Sequence, residues 1–266
     1  MPDSSSDPCV HEYDRVILDP VHRRWYGSSK YYNVGWWDES IRSQAEASAA
    51  LMERLLAHAG DGLTAALDVG CGLGATTSRV KVRWPDARVV GINLSQLQVA
   101  HCRSHVPDCE FEQMDATALA FPGDSFDLVT CVEAAFHFDT REAFLREAFR
   151  VLRPGGRLLL ADMLLTASQV AATVSLWNVN RANSLPGPHA YAATLETVGF
   201  EDVQVDDVTD ATWRAWLVRI NEWLCSEHEL GRVPRERMEQ WRSNTPALRD
   251  SVSHYLLARC TKPRDT

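Results

Sequence analysis

Three glycines at alternate positions, Gly70, Gly72 and Gly74, follow directly on a short apolar run, Ala65-Ala66-Leu67-Asp68-Val69. The run has the length of a buried strand, and a helical pattern carrying Val80, Val82 and Trp84 comes after the glycines. Strand, tight glycine turn and helix form the first crossover of a nucleotide-binding sheet. Side chains in the turn would hold a ligand away from the backbone, and the helix N-terminus behind it offers free N–H groups. The turn alone does not name its ligand. Gly70, Gly72 and Ala75 also meet the dinucleotide spacing G-x-G-x-x-A, so a nicotinamide or flavin reading stays open. A nicotinamide enzyme wants an acidic residue at the end of the next strand to hold the ribose hydroxyls. That strand closes here on Gly91-Ile92-Asn93-Leu94-Ser95.

The rest of the chain keeps the same rhythm. Strands are expected over 64–70, 87–93, 109–114, 126–132, 156–162, 202–208 and 253–260, with helices over 74–84, 95–105 and 140–152 between them. Further helical patterns cover about 166–184 and 187–198. The alternation implies an α/β fold, a doubly wound and mainly parallel seven-stranded sheet with helices on both faces. Ahead of it, residues 1–9 read as a disordered tail, and a helix from His11 to Trp25 is expected to break or kink near Pro20. An Ala-rich helix spans about 40–59. Arg153-Pro154-Gly155-Gly156 reads as a turn that ends a helix and opens a strand.

Two aromatic stretches stand outside this rhythm. Tyr31-Tyr32-Asn33-Val34-Gly35-Trp36-Trp37 either staples the core or closes over a ligand. In an insertion over 210–250, Trp213, Trp216, Leu217, Ile220, Trp223 and Leu224 form one apolar helical stripe, which either packs on the sheet edge or caps a substrate as a lid. The chain thus divides into an N-terminal helical segment over 1–62, a core over 63–209 and 251–266, and a helical lid over 210–250.

With 27 Lys and Arg against 36 Asp and Glu, the net charge is −9, and no basic run offers a nucleic-acid surface. Seven scattered cysteines with no C-x-x-C pair fit reduced thiols in a cytoplasm. No secretory signal and no membrane-spanning run is visible, and no cluster has metal-ligand spacing. The expected partner is a small-molecule substrate rather than nucleic acid or membrane, with oligomerisation left open.

Five segments, in order and spacing, resemble the class I S-adenosylmethionine-dependent methyltransferases. They are the glycine turn, Val89–Gln98, Phe111–Ala116, Phe121–Val129 and Phe149–Leu158. The resemblance is nearest to small-molecule methyltransferases of natural-product pathways, of the rebeccamycin sugar O-methyltransferase type, with the cyclopropane synthases further off. It implies S-adenosylmethionine as cofactor, an antiparallel last strand and a substrate cap at the 210–250 insertion. It further implies cofactor contacts from Tyr32, Asp68, Gly70, Cys71, Gly72, Gly74, Asn93, Leu94, Gln98, Met114, Asp115, Ala116 and Val132. Asn93 and Gln98 match the cyclopropane-synthase-like subset, in which a short polar residue and a Gln five positions on share the ribose. Asp68 either holds the turn through backbone N–H groups or receives the cofactor's ammonium, and Asp115 either accepts from the adenine amino group or caps its own turn.

For catalysis the same resemblance points to His137, in Glu133-Ala134-Ala135-Phe136-His137-Phe138, just beyond the fourth strand. It would be a general base oriented by Asp162 at the end of the fifth strand. The substrate pocket is expected to use Trp36, Phe136, Phe138, Trp213 and Trp216. The leading expectation is methyl transfer to a hydroxyl oxygen of a small metabolite. The alternatives are methylation of an alkene or aromatic carbon, with His137 or Glu133 removing a proton, or of nitrogen. A nicotinamide oxidoreductase and a non-catalytic binding module that kept the cofactor fold stand further off.

Overall fold

The computed structural model describes residues 14–15, 19–165 and 179–264. Its sheet holds β1 (Ala65–Val69), β2 (Arg88–Asn93), β3 (Glu110–Gln113), β4 (Phe126–Val132), β5 (Leu152–Leu165), β6 (Glu201–Asp207) and β7 (Val252–Thr261). The strand order is β3-β2-β1-β4-β5-β7-β6. The first five run parallel, and β7 lies antiparallel to both β5 and β6. All five residues of β1 are buried, as a strand covered on both faces requires. In register, Val69 lies beside Ile92 on β2 and Cys131 on β4, so three strands end level.

The helices are α1 (Pro20–Tyr26), α2 (Gln44–Leu56), α3 (Ala75–Arg83), α4 (Gln96–His105), α5 (Arg141–Val151), α6 (Pro188–Val198), α7 (Ala215–Glu229) and α8 (Arg235–Arg249). Pro20 opens α1, at the point where the sequence predicts a break or kink. Asp19 caps it, accepting from the amides of Val21 and His22, and proline at the first position has no N–H to waste. α2 starts at Gln44 because Ser43 and Glu46 close a capping box there. Of the expected helix over 166–184, residues 166–178 lie outside the described ones, and Arg181–Asn183 make only a 3₁₀ turn.

Two of the hydrophobic cores bear on the site. One packs Leu67, Val69 and Ile92 with Phe144 and Leu145 of α5 and Tyr191 of α6. The other joins Trp25, Trp37 and Tyr255 to Trp216, Leu217, Ile220 and Leu224 of α7. The apolar stripe of the 210–250 insertion thus packs against the N-terminal segment, where Trp25 meets Trp37 at 6.1 Å and Trp223 at 5.2 Å between ring centroids. Such aromatic pairs add to area burial when they interdigitate.

Candidate active site

The level strand ends leave a cavity of about 520 Å³ over the carboxyl ends of β1, β2 and β4 and the turn after β3. That is the size range of ligand sites, at the crevice where open parallel sheets bind ligands. Lys30, Tyr31, Tyr32 and Asn33 reach it from the N-terminal segment. Of the residues expected to touch a cofactor, Tyr32, Gly70, Cys71, Gly72, Asn93, Leu94, Gln98, Met114, Asp115, Ala116 and Val132 all line this cavity. Asp68 and Gly74 do not.

The three glycines are there for three different reasons. A Cβ on Gly70 would stand 2.4 Å from the Cβ of Ala134, so this glycine lets the end of β1 pack against the loop after β4. Gly72 has φ +53° and open space where a Cβ would go, leaving bare backbone to the cavity. Gly74, with φ +84°, caps α3, and a Cβ there would press on Cys102, Phe111 and Val106 at 3.2 Å. The turn is also fastened to β2, since the amides of Gly70 and Cys71 both donate to the Ile92 carbonyl. Asp68 lies behind it, fully enclosed. It accepts from the hydroxyls of Thr76, Thr77 and Thr130, not from backbone amides, and burial raises its pKa against those three bonds. It ties β1, β4 and α3 together from below.

Further along, Asn93 Nδ2 donates to Gln98 Oε1 at 3.1 Å, and Asn93 Oδ1 accepts from the Ser95 amide at 2.9 Å. Asp115 Oδ1 accepts from both the amide and the hydroxyl of Thr117 at 2.8 Å, which is the turn-capping role. Asp115 nonetheless lines the cavity, between Met114 and Ala116.

The loop after β4 brings Glu133, Ala134, His137 and Phe138 to the cavity wall. Glu133 Oε1 accepts from the Val34 amide at 2.8 Å and from the Tyr255 hydroxyl at 2.6 Å. Burial pushes its carboxyl up to about 7 even though both bonds favour the ionised form. His137 ends a 3₁₀ turn, Ala135–His137.

The expected pairing of Asp162 with His137 is corrected. Asp162 is fully buried and takes Arg141 Nε at 2.7 Å, the Tyr191 hydroxyl at 3.0 Å and the amide of Phe136 at 3.2 Å. Its carboxylate balances a buried guanidinium and pins the loop one residue before His137, so it does not orient the imidazole. The expected substrate pocket is also only partly assembled. Phe138 lines the cavity, whereas Phe136, Trp213 and Trp216 are buried in the second core. Trp36 lies under the Arg54 guanidinium, 3.9 Å from the ring centroid, and is not on the cavity wall.

Among the wall residues that escaped the sequence reading, Asn33 has the most open chemistry. Asn33 is 3% exposed, and neither its side-chain nitrogen nor its oxygen has a hydrogen-bond partner. A buried amide left open on both sides is costly unless a ligand or an ordered water completes it. The only signal in the sequence was its place among four aromatic side chains. Among the described residues no cluster of His, Cys, Asp and Glu could hold a metal ion, and no helix is long and apolar enough to cross a membrane.

Comparison with known proteins agrees with this geometry. Residues 67–160 match the methyltransferase domain family. The chain is 35% identical over 218 residues to 27-O-demethylrifamycin SV methyltransferase of Amycolatopsis mediterranei, covering 77% of each. It is 34% identical to erythromycin 3''-O-methyltransferase of Saccharopolyspora erythraea, covering 73% of this chain and 68% of that one. Among solved structures, the [4+2]-cyclase SpnF superposes with a TM-score of 0.75 at 22% identity, over 99% of this chain and 98% of that one, a likeness of fold. The glycine turn, the level strand ends and these relatives together make the chain a member of the class I S-adenosylmethionine-dependent methyltransferases, acting on small molecules.

Proposed function

We propose that the protein transfers the methyl group of S-adenosylmethionine to a hydroxyl oxygen of a small metabolite, with His137 as general base. The observation that carries this reading is the position of His137 on the cavity wall, on the loop that follows β4 and next to the glycine turn. The names of both O-methyltransferase relatives point to the same acceptor atom.

The residues present suit the cofactor. Gly72 leaves room at the backbone, the enclosed Asn33 amide offers a donor and an acceptor that match the two charged groups of an amino-acid tail, and Met114 and Ala116 supply apolar wall for a flat ring. When bound, the cofactor supplies a methyl group on a sulfonium, a good leaving group for in-line displacement. The protein's part is then alignment, to which orientation contributes most. His137 takes the proton from the acceptor hydroxyl as its oxygen attacks, the general-base role that imidazole most often fills. Tyr31, Tyr32 and Phe138 exclude water around that step.

His137→Ala should bind S-adenosylhomocysteine within about twofold of wild type in calorimetry while turnover falls by roughly 10²–10⁴-fold. Unchanged turnover beside normal affinity would remove the base assignment. A second reading, methylation at carbon, draws on Glu133, whose carboxyl near 7 can accept a proton at the same wall. Labelled methyl donor offered to hydroxyl-bearing and alkene-bearing acceptors separates the two. Membership in the methyltransferase family displaces the nicotinamide alternative.

A further inference from the structure

The end of β2 carries Asn93 where a ribose-binding carboxylate would be expected, yet a carboxylate does stand there. Asp14, 79 residues earlier in the chain, accepts from Gln98 Nε2 at 2.8 Å and from the Ser95 hydroxyl at 2.9 Å and 3.2 Å. We propose that Asp14 is a positioning residue for the ribose end of the pocket, supplying from the N-terminal segment the anion that β2 lacks.

The argument is one of hydrogen-bond direction. A side-chain amide can turn over and exchange its nitrogen for its oxygen, so its direction is set by partners that cannot: the Ser95 amide, which only donates, orients Asn93, and Asp14 holds Gln98 from the other end. A carboxylate only accepts. Facing Asp14, Gln98 must present Nε2 to it and Oε1 to Asn93, where the observed distance is 3.1 Å. Asn93 in turn must present Nδ2 to Gln98 and Oδ1 to the Ser95 amide. This leaves one N–H and one lone pair uncommitted on each amide, among them a donor on Asn93 beside an acceptor on Gln98 Oε1, on two residues that both line the cavity. Such a pair complements a vicinal diol, whose hydroxyls each donate and accept. Asp14 also sits by the first residues of α4, where the helix dipole favours a negative charge.

The inference rests on the methyltransferase reading, so the test measures cofactor binding rather than turnover. Calorimetry with S-adenosylhomocysteine compares wild type with Asp14→Ala, Gln98→Ala and the double variant. Asp14→Ala should weaken binding roughly tenfold, the scale of one hydrogen bond to a charged group. Because Asp14 acts through Gln98, the double variant should bind no more weakly than Gln98→Ala alone. Wild-type affinity in Asp14→Ala, or losses that multiply in the double variant, would overturn the proposal. Should Asp14→Ala not fold, Asp14→Asn, which keeps an acceptor but loses the charge, should weaken binding about two- to fivefold, and unchanged affinity there would overturn it equally. A wild-type protein that does not bind S-adenosylhomocysteine would strike at the cofactor assignment itself.

Discussion

Glu133 holds a left-handed backbone conformation, φ 54°, at the end of β4. A side chain larger than glycine adopts this only where its surroundings enforce it, and such residues gather at functional sites. Here the Tyr255 hydroxyl and the Val34 amide enforce it from opposite sides, joining the last strand and the N-terminal segment to the loop that carries His137. With the carboxyl pushed up to about 7 from 4.5, the folded state binds its proton more tightly than the unfolded chain does. The stabilisation is therefore complete below about pH 4.5 and is lost as pH rises through about 7. Glu133→Gln keeps an acceptor for both donors and removes the titration. Its melting temperature should gain on wild type by roughly 4–10 °C between pH 5 and pH 8, since a shift of this size is worth about 2–3 kcal/mol over that range and each kcal/mol moves a domain of this size by about 2–4 °C. A constant difference across that range in scanning calorimetry would refute the assignment of the proton to Glu133.

At the scale of elements, the β1-turn-α3 unit was legible because its signal is local. An apolar run and spaced glycines constrain a few neighbouring residues, and the strand ends followed. What each glycine does was not legible, since it depends on what lies opposite. Gly70→Ala would drive a Cβ to 2.4 Å from Ala134. It should cost about 1–3 kcal/mol from overpacking, with further strain from its positive φ. Gly72→Ala meets nothing within 4 Å, so its cost is the strain of φ +53°, about 1–2 kcal/mol, while its methyl group occupies ligand space. In denaturant melts paired with calorimetry, Gly70→Ala should lose more stability, and Gly72→Ala should lose more S-adenosylhomocysteine affinity per unit of stability lost. The reverse order would show the roles exchanged. Asp162 and the tryptophans failed to read for the same reason. A carboxylate at a strand end suits a catalytic partner or the partner of a buried arginine equally well, and Arg141 is reached only through α5. The stripe of Trp216, Leu217 and Ile220 announced an apolar face correctly, and the core it joins holds Met163 and Tyr255 of the sheet as well as Trp25 and Trp37.

Over the whole molecule, the N-terminal segment is part of the folded body. The Trp36 amide donates to the Ala47 carbonyl at 2.9 Å, the Trp37 amide to the Ala211 carbonyl at 2.7 Å, and Gln44 Nε2 to the Asn33 carbonyl at 2.8 Å. Tyr32 and Asn33 therefore stand at the cavity only when α2 and the 210–214 turn are also in place. The unfolded chain has no such site, so a ligand that binds there stabilises the fold by mass action. At one hundred times its dissociation constant, S-adenosylhomocysteine should add about 2.7 kcal/mol. Thermal melts should then rise by roughly 5–10 °C, given about 2–4 °C per kcal/mol for a chain of this length. NADH at the same concentration should leave the transition in place, because it lacks the amino-acid tail that the enclosed Asn33 amide would receive. An equal shift with both nucleotides would mean that the cavity reads only the adenosine they share, and that neither the amino-acid tail nor the Asn33 amide contributes to recognition.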